Sequence, residues 1–485
     1  MKKLFNISNK EKIAFFVTMI ATFIVYLSVF KANLYYADDV YRGVAGSIRM
    51  ADQGRPFGHL LLMPFKLGGL LIDASPLFQI IAIIEVAITP IALLRLFKGI
   101  SWLESVIMTL LVFMSPFYIQ NISFKFDIYT MTTAVFLSFC SILAFFNIYH
   151  WGGKVVSWLC ILLVISSYQP ALNVVFVFFI TRVIYGVLLK EKNILIKSGG
   201  FLGVCLCAAL TYKLSLPVWF RPTEYSAHGA EILDKNIIQS MLQTHILFLK
   251  YVFVTSNVYY IVCVLGLFLF SFISFLINIK DRWYKKWAYV FFYYLSIILC
   301  CSGLMSLLKN PILEPRTMIG VGGICASLFL IGAQVKVTKK IIFSLSLVFI
   351  FKNIIIFMAY GNALDIISKQ IGYNVAISLE KASELSNNYN VKKGAVIGRI
   401  PDSNYIKEIK KKIPIMAEIL KTDFGDISSY NIYNIDLYTR GLSFEYMNIS
   451  MLRDEDLSST KKIYEGGFFE ILLTKSNIII VKYKD

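Results

Sequence analysis

Eleven apolar runs, most of them 17–25 residues long, follow one another from residue 13 to residue 359, and this succession constrains the fold more than any motif. They cover 13–31, 76–95, 102–120, 128–148, 155–168, 171–189, 199–218, 248–277, 287–307, 317–334 and 341–359. About 20 residues of α-helix cross the hydrocarbon of a bilayer. Lipid offers no partner to an unpaired amide, so such runs are expected to be helices. The composition points the same way: 57% of residues are hydrophobic, 16% are charged, and the mean hydropathy is +0.66. The first run follows Lys2, Lys3, Lys10 and Lys12, and no small-residue cleavage site separates it from Asp38, so it reads as an uncleaved span.

Basic residues then set the orientation. They gather at the amino terminus, at Arg95 and Lys98, at Lys154, at Lys190, Lys192 and Lys197, across Lys280 to Lys286, and at Lys336, Lys339 and Lys340. With the amino terminus in the cytoplasm, all of these clusters fall on the cytoplasmic side. This parity requires that residues 58–72 do not cross. Pro64, Lys66 and Gly68-Gly69 make that segment a better interfacial or re-entrant helix than a span. The expected product is a multi-pass protein of a bacterial inner membrane with a periplasmic carboxyl terminus. Residues 371–485 hold 16 basic and 15 acidic residues, which leaves 32 and 15 of the chain's 48 and 30 for the remainder. The positive excess therefore belongs to membrane-flanking loops, where it meets anionic lipid, and is no footprint of nucleic acid.

Composition shifts near residue 360, which suggests a membrane domain over 1–360 and a periplasmic α/β domain over 361–485. Lys393 to Ile400 reads as a strand. Tyr405 to Leu420 reads as an amphipathic helix interrupted by Pro414. Phe468–Thr474 and Asn477–Tyr483 read as a hairpin around Lys475-Ser476. Tyr430, Tyr433, Tyr438 and Tyr446 are candidate sugar-stacking residues there, with core packing an equal alternative. The eight cysteines lie in apolar stretches, and neither they nor His59, His150, His228 and His245 have metal-ligand spacing, so no metal is expected.

Four outward loops carry the polar material. The first holds Tyr36-Ala37-Asp38-Asp39-Val40-Tyr41-Arg42, then Arg49, Asp52, Arg55 and Lys66, with Tyr41 to Met50 expected to be helical. The second runs from Ser115-Pro116-Phe117 to Lys125-Phe126-Asp127, the third holds Arg221, Glu224, His228, Glu231 and Asp234, and the fourth holds Glu314-Pro315-Arg316. If a helix starts at the acidic pair, Asp38 or Asp39 shares a face with Arg42. One carboxylate would suffice as a helix cap, whereas two suit proton transfer. Arg55, Lys66 and Lys125 have a plainer reading as cations snorkelling to headgroups, and Glu314 with Arg316 as a brace for a proline turn.

The acidic pair after span one, the Gly54-Arg55-Pro56-Phe57 that follows and the Ser115-Pro116-Phe117 loop resemble the membrane-embedded GT-C glycosyltransferases. The chain is most similar to the type II serotype-converting O-antigen glucosyltransferases of temperate bacteriophages, over about residues 10–360. That resemblance implies a GT-C-like fold of about 11 transmembrane helices with an interfacial first loop and a small periplasmic domain. It further implies transfer of glucose from undecaprenyl-phosphate glucose to a rhamnose of lipid-linked O-antigen polysaccharide, with inversion, at the periplasmic face. No cofactor is implied, and the lipid-linked sugar is a co-substrate. A donor-synthesising glycosyltransferase and a flippase are implied as functional partners. Asp38 or Asp39 is then the general base. Arg42, Arg55, Lys125 and Arg316 are candidates for the donor phosphate, and Tyr36, Tyr41, Glu224 and Glu314 for the acceptor. The alternative is a transporter or flippase of lipid-linked sugars, for which Glu85, alone in mid-span, would serve.

Overall fold

The computed structural model describes residues 7–148, 151–219, 231, 237–279, 282–398, 401–420, 445–446 and 459–484. In chain order its helices are α1 (Asn9–Phe30), α2 (Asp38–Ala45), α3 (Pro56–Leu62), α4 (Leu77–Leu96), α5 (Trp102–Phe113), α6 (Ile119–Ser123), α7 (Asp127–Asn147) and α8 (Trp151–Ile165). They continue with α9 (Ala171–Leu188), α10 (Ile194–Trp219), α11 (Ile237–Thr255), α12 (Val258–Asn278), α13 (Trp283–Leu299), α14 (Gly320–Gly332) and α15 (Lys336–Tyr389). Among the described residues nine helices are long and apolar enough to cross a membrane, or ten if the bent pair Trp102–Phe113 and Pro116–Ser123 counts as one. The chain is thus a multi-pass helical membrane protein. It packs as two compact units, Met1–Leu27 with Ile48–Met358, and Ser28–Ser47 with Ala359–Asp485.

In the first unit the ion pairs sort the helix ends. Arg95 meets Glu11 at 2.6 Å, Lys339 meets Glu104 at 3.0 Å and Arg182 meets Glu191 at 2.7 Å, while the Tyr185 hydroxyl donates to the Lys98 carbonyl at 2.7 Å. These basic residues therefore share one end of the helix bundle. The other end is tied through its turns: Phe57 N–H donates to the Ser166 carbonyl at 2.9 Å, and the Tyr212 hydroxyl to the Gly54 carbonyl at 2.6 Å.

Several spans differ from the sequence reading, each for a local reason. The run 102–120 bends by 56° at Ser115-Pro116, because proline lacks the amide that would continue the helix. Tyr26 donates to the Phe113 carbonyl at this break, at 3.0 Å. The run 155–168 is the 15-residue α8, closed by a turn at Ser166 to Pro170. The run 248–277 is two helices, α11 and α12, since Asn257 starts a new one by accepting from Tyr260 N–H at 2.8 Å. The run 287–307 is α13 followed by a 3-10 turn at Gly303–Leu307. Residues 58–72 divide into α3, a 3-10 turn at Met63–Phe65 and a hairpin of β1 (Lys66–Leu67) and β2 (Leu70–Leu71), whose Gly68 and Gly69 take φ of 59° and 87°.

The second unit is built on the continuation of α15. The expected span 341–359 does not stop at the composition change but runs on to Tyr389, a 54-residue helix. Gly361 lies so close to α1 that a Cβ would stand 2.1 Å from the Ser28 carbonyl oxygen. Beyond it come β3 (Lys393–Ile397), α16 (Asn404–Lys412), α17 (Ile415–Ile419), β4 (Glu445–Tyr446), β5 (Thr460–Glu465), β6 (Phe469–Thr474) and β7 (Ile478–Tyr483). The strands form one sheet in the order β4-β3-β7-β6-β5, with β3 parallel to both β4 and β7 and the rest antiparallel. The expected break at Pro414 separates α16 from α17, and the expected hairpin is β6-β7. Ser378 of α15 and Tyr483 of β7 share a hydrogen bond of 2.7 Å that fixes helix to sheet.

Candidate active site

Ala37 sits at φ 50°, ψ −120°, immediately before α2. An alanine in that region is strained by of order 1–3 kcal/mol, and such residues cluster at functional sites. Its effect is to turn the chain so that Asp38 and Asp39 occupy the first helical turn, with no side-chain cap on Ala37. Carboxylates are favoured there by the helix dipole. α2 ends at Ala45 because Gly46 takes the left-handed conformation, φ 60°. The helix thus begins at the acidic pair and is shorter at its far end than the expected stretch to Met50.

The two acids differ. Asp39 is fully buried, and its Oδ2 accepts from the Tyr36 N–H at 3.3 Å while its own amide donates to the Tyr36 carbonyl at 3.0 Å. Asp38 is half-buried. Arg42, one turn on, is buried at 2% exposure, at the spacing that shares a helix face with Asp38 and Asp39. Tyr35 closes the helix from outside: a Cβ on Gly43 would meet its ring at 2.8 Å. Tyr36 is buried, and of Tyr41 the backbone alone is described, within α2.

The first unit brings a separate polar cluster together. Gln120 of α6 donates through Nε2 to Glu314 Oε2 at 2.9 Å and accepts at Oε1 from the Arg316 N–H at 2.9 Å. The Arg316 guanidinium meets Glu314 Oε2 at 2.7 Å and lies over the Phe124 ring at 5.3 Å. The Tyr168 hydroxyl donates to the Arg316 carbonyl and accepts from Asn121 Nδ2 at 3.0 Å. Arg55 is the residue before α3, whose Phe57 N–H donates to the Ser166 carbonyl at 2.9 Å, two residues ahead of Tyr168. Lys125 lies 3.4 Å from Asp73, whose other oxygen accepts from the Ser75 N–H at 2.9 Å. Arg55, Lys125, Arg316 and Glu314 therefore all belong to the turns at one end of the first unit.

Glu224 lies outside the described residues, as do Tyr430, Tyr433 and Tyr438; of Tyr446 the backbone alone is described. Gln120 and Asn121 fall within the second outward loop and Tyr168 in the turn that closes the run 155–168, but the sequence assigns none of them a role, since their partners lie far along the chain. Glu85 accepts from the Thr133 hydroxyl at 2.7 Å inside the bundle. Among the described residues no three His, Cys, Asp or Glu side chains converge as a metal site would require.

Nine or ten helices of membrane-crossing length and apolarity among the described residues define the class as a multi-pass helical membrane protein. Residues 27–327, well over half of the chain, match the family model described as Glucosyl transferase GtrII, and the chain belongs to that family. It is also 22% identical over 402 residues to an uncharacterized 55.3 kDa protein in the gtrB 5′ region of Salmonella phage P22, covering 80% of this chain and 82% of that one. No solved structure matches. The matched range contains α2, Arg55, Lys125 and Arg316, whereas the C-terminal sheet lies outside it.

Proposed function

We propose that this membrane glucosyltransferase moves glucose from undecaprenyl-phosphate glucose to a rhamnose hydroxyl of lipid-linked O-antigen, at the periplasmic face of a bacterial inner membrane. The observation that carries the reading is a strained turn delivering two carboxylates into α2, directly after the first span and inside the range matched by a glucosyl transferase family. The amino terminus is cytoplasmic in this reading, and the Arg316 end of the first unit is periplasmic. The same reading takes the arrangement to be GT-C-like.

Asp38 is the general base. Its half-open position suits a group that must meet an acceptor hydroxyl, whereas Asp39 is spent on the Tyr36 backbone and positions the turn. As the base takes the proton, the acceptor oxygen bonds to the anomeric carbon and the bond from that carbon to the phosphate oxygen breaks. The electron pair leaves with the phosphate, which is stable as an anion and needs no general acid. Cations must balance the charge that moves onto it. Arg316 has a fork suited to two phosphate oxygens, with Glu314 holding the guanidinium and Gln120 the backbone amide. Arg55, Lys125 and Arg42 complete the candidate set. Displacement of this kind inverts the anomeric centre and calls for no second carboxylate across the sugar.

Tyr41 and Glu224 are the proposed acceptor contacts, Tyr36 being buried and so withdrawn from that set, and the C-terminal unit selects the large glycan. Donor synthesis and its flipping across the membrane fall to separate proteins, and the reaction itself runs without a metal. Mass spectrometry of lipopolysaccharide from cells with the wild-type gene, with Asp38→Asn and without the gene tests the reading. Wild-type cells should add one hexose per modified repeat, with the other two matching each other. An unaltered polysaccharide in wild-type cells that contain the donor would sink it.

A further inference from the structure

By length and apolarity α11 qualifies as a membrane span, but its surroundings place it otherwise. The chain leading to it is tied to the Arg316 end of the first unit, where Lys309 N–H donates to the Glu231 carbonyl at 2.9 Å and Lys309 Nζ meets the Glu231 carboxylate at 3.2 Å. Midway along, His245 Nδ1 and the Ser302 hydroxyl lie 2.7 Å apart. Ser302 lies two residues after Cys300, whose carbonyl oxygen lies 2.8 Å from a Cβ placed on Gly320, the first residue of α14.

The far end of α11 stays at this level. It passes into α12 through Ser256-Asn257, and the start of α12 lies beside the outer part of the α15 span: Lys352 Nζ is 5.0 Å from the Tyr259 ring, and the Tyr260 and Phe349 rings are 4.8 Å apart. From there α12 descends, so that Ser274 donates to the Ile331 carbonyl at 2.8 Å near the other end. A helix that is pinned at its centre and ends at one level of the bundle does not cross.

The side chains fit a boundary position. His245, Phe248 and Thr255 lie on the buried face. Ile238, Leu242, Ile246 and Phe253 form an exposed apolar stripe, exposed Gln239, Gln243 and Lys250 form a polar stripe beside it at helical spacing, and exposed Leu247 and Val254 flank that polar stripe on its far side. We infer that α11 lies flat at the lipid–water boundary on the Arg316 side, its apolar stripe among acyl chains and its polar stripe at bilayer headgroups. With α11 lying flat, the basic residues Lys285 and Lys286 at the start of α13 fall at the end that holds Lys339.

The test uses single cysteines in the full-length protein with its native cysteines replaced. Cysteines at Gln239, Gln243 and Lys250 should react with an impermeant maleimide from the same side as one at Asn310, and from the side opposite to one at Lys285. Fluorophores at Leu242 and Phe253 should be quenched equally, and best by shallow spin-labelled lipids in phosphatidylglycerol-containing nanodiscs. A crossing helix would instead separate those two positions by about 16 Å in depth. That depth difference, or labelling of position 250 from the Lys285 side, overturns the assignment. So does a stripe shielded from both reagent and lipid quencher in native membranes, which would mean that another protein covers it.

Discussion

Replacing each acid of the pair by asparagine should separate the chemistry of one from the architecture of the other. Asp38→Asn keeps the shape of a half-buried side chain and removes a proton acceptor, so turnover should fall by about 10²–10⁴. That range corresponds to about 2.7–5.4 kcal/mol of barrier, while stability should change by no more than about 0.5 kcal/mol, as at other open positions. Asp39→Asn perturbs a different quantity. The side chain is fully buried and accepts from Tyr36 N–H; the amide oxygen can still accept, but an NH₂ group then needs a partner, at about 1–3 kcal/mol if it finds none. This variant should therefore lose thermal stability, with activity falling through disorder of the turn. The assay is glucosyl transfer in proteoliposomes from labelled polyprenyl-phosphate glucose, read beside a detergent melting curve of the same preparation. An Asp38→Asn enzyme that turns over at the wild-type rate, or an Asp39→Asn enzyme that is inactive yet fully stable, would refute the division of roles.

Arg316→Lys should raise the donor KM about tenfold or more with little effect on folding, because lysine cannot reproduce the fork held by Glu314; unchanged kinetics with varied donor would remove it from the phosphate site. Gly361→Val should cost at least about 1–3 kcal/mol, since its side chain would meet the Ser28 carbonyl 2.1 Å from the Cβ, and a melting temperature equal to wild type would show that the two helices separate freely. His59 is held below its ordinary pKa by burial first and by Lys66 next, against Asp52. Its contribution to stability is thus present above about pH 6.5 and lost as pH falls through the lower folded value, so His59→Gln should flatten the melting profile in that acidic window. Transfer should survive EDTA, and its abolition with rescue by Mg²⁺ or Mn²⁺ would contradict the metal-free mechanism.

The sequence alone determined the class of this protein, because a run of about 20 apolar residues has one backbone solution in lipid and basic residues bias which end stays in the cytoplasm. It also located α2, since two acids ahead of an arginine are favourable at a helix start. Tertiary structure decided the rest. Whether α11 crosses depends on what His245 and Lys309 bond to, a question that hydropathy does not address. The continuation of α15 to Tyr389 was hidden by its polar composition, because a helix leaving the membrane keeps its backbone bonds whatever its side chains face. The different standing of Asp38 and Asp39 is invisible in a dipeptide: full burial of one and half-burial of the other follow from the direction in which Ala37 turns the chain. The bracing of Arg316 by Gln120, Glu314 and Tyr168 joins residues between 120 and 316, and only packing brings such distant turns to one end of a bundle.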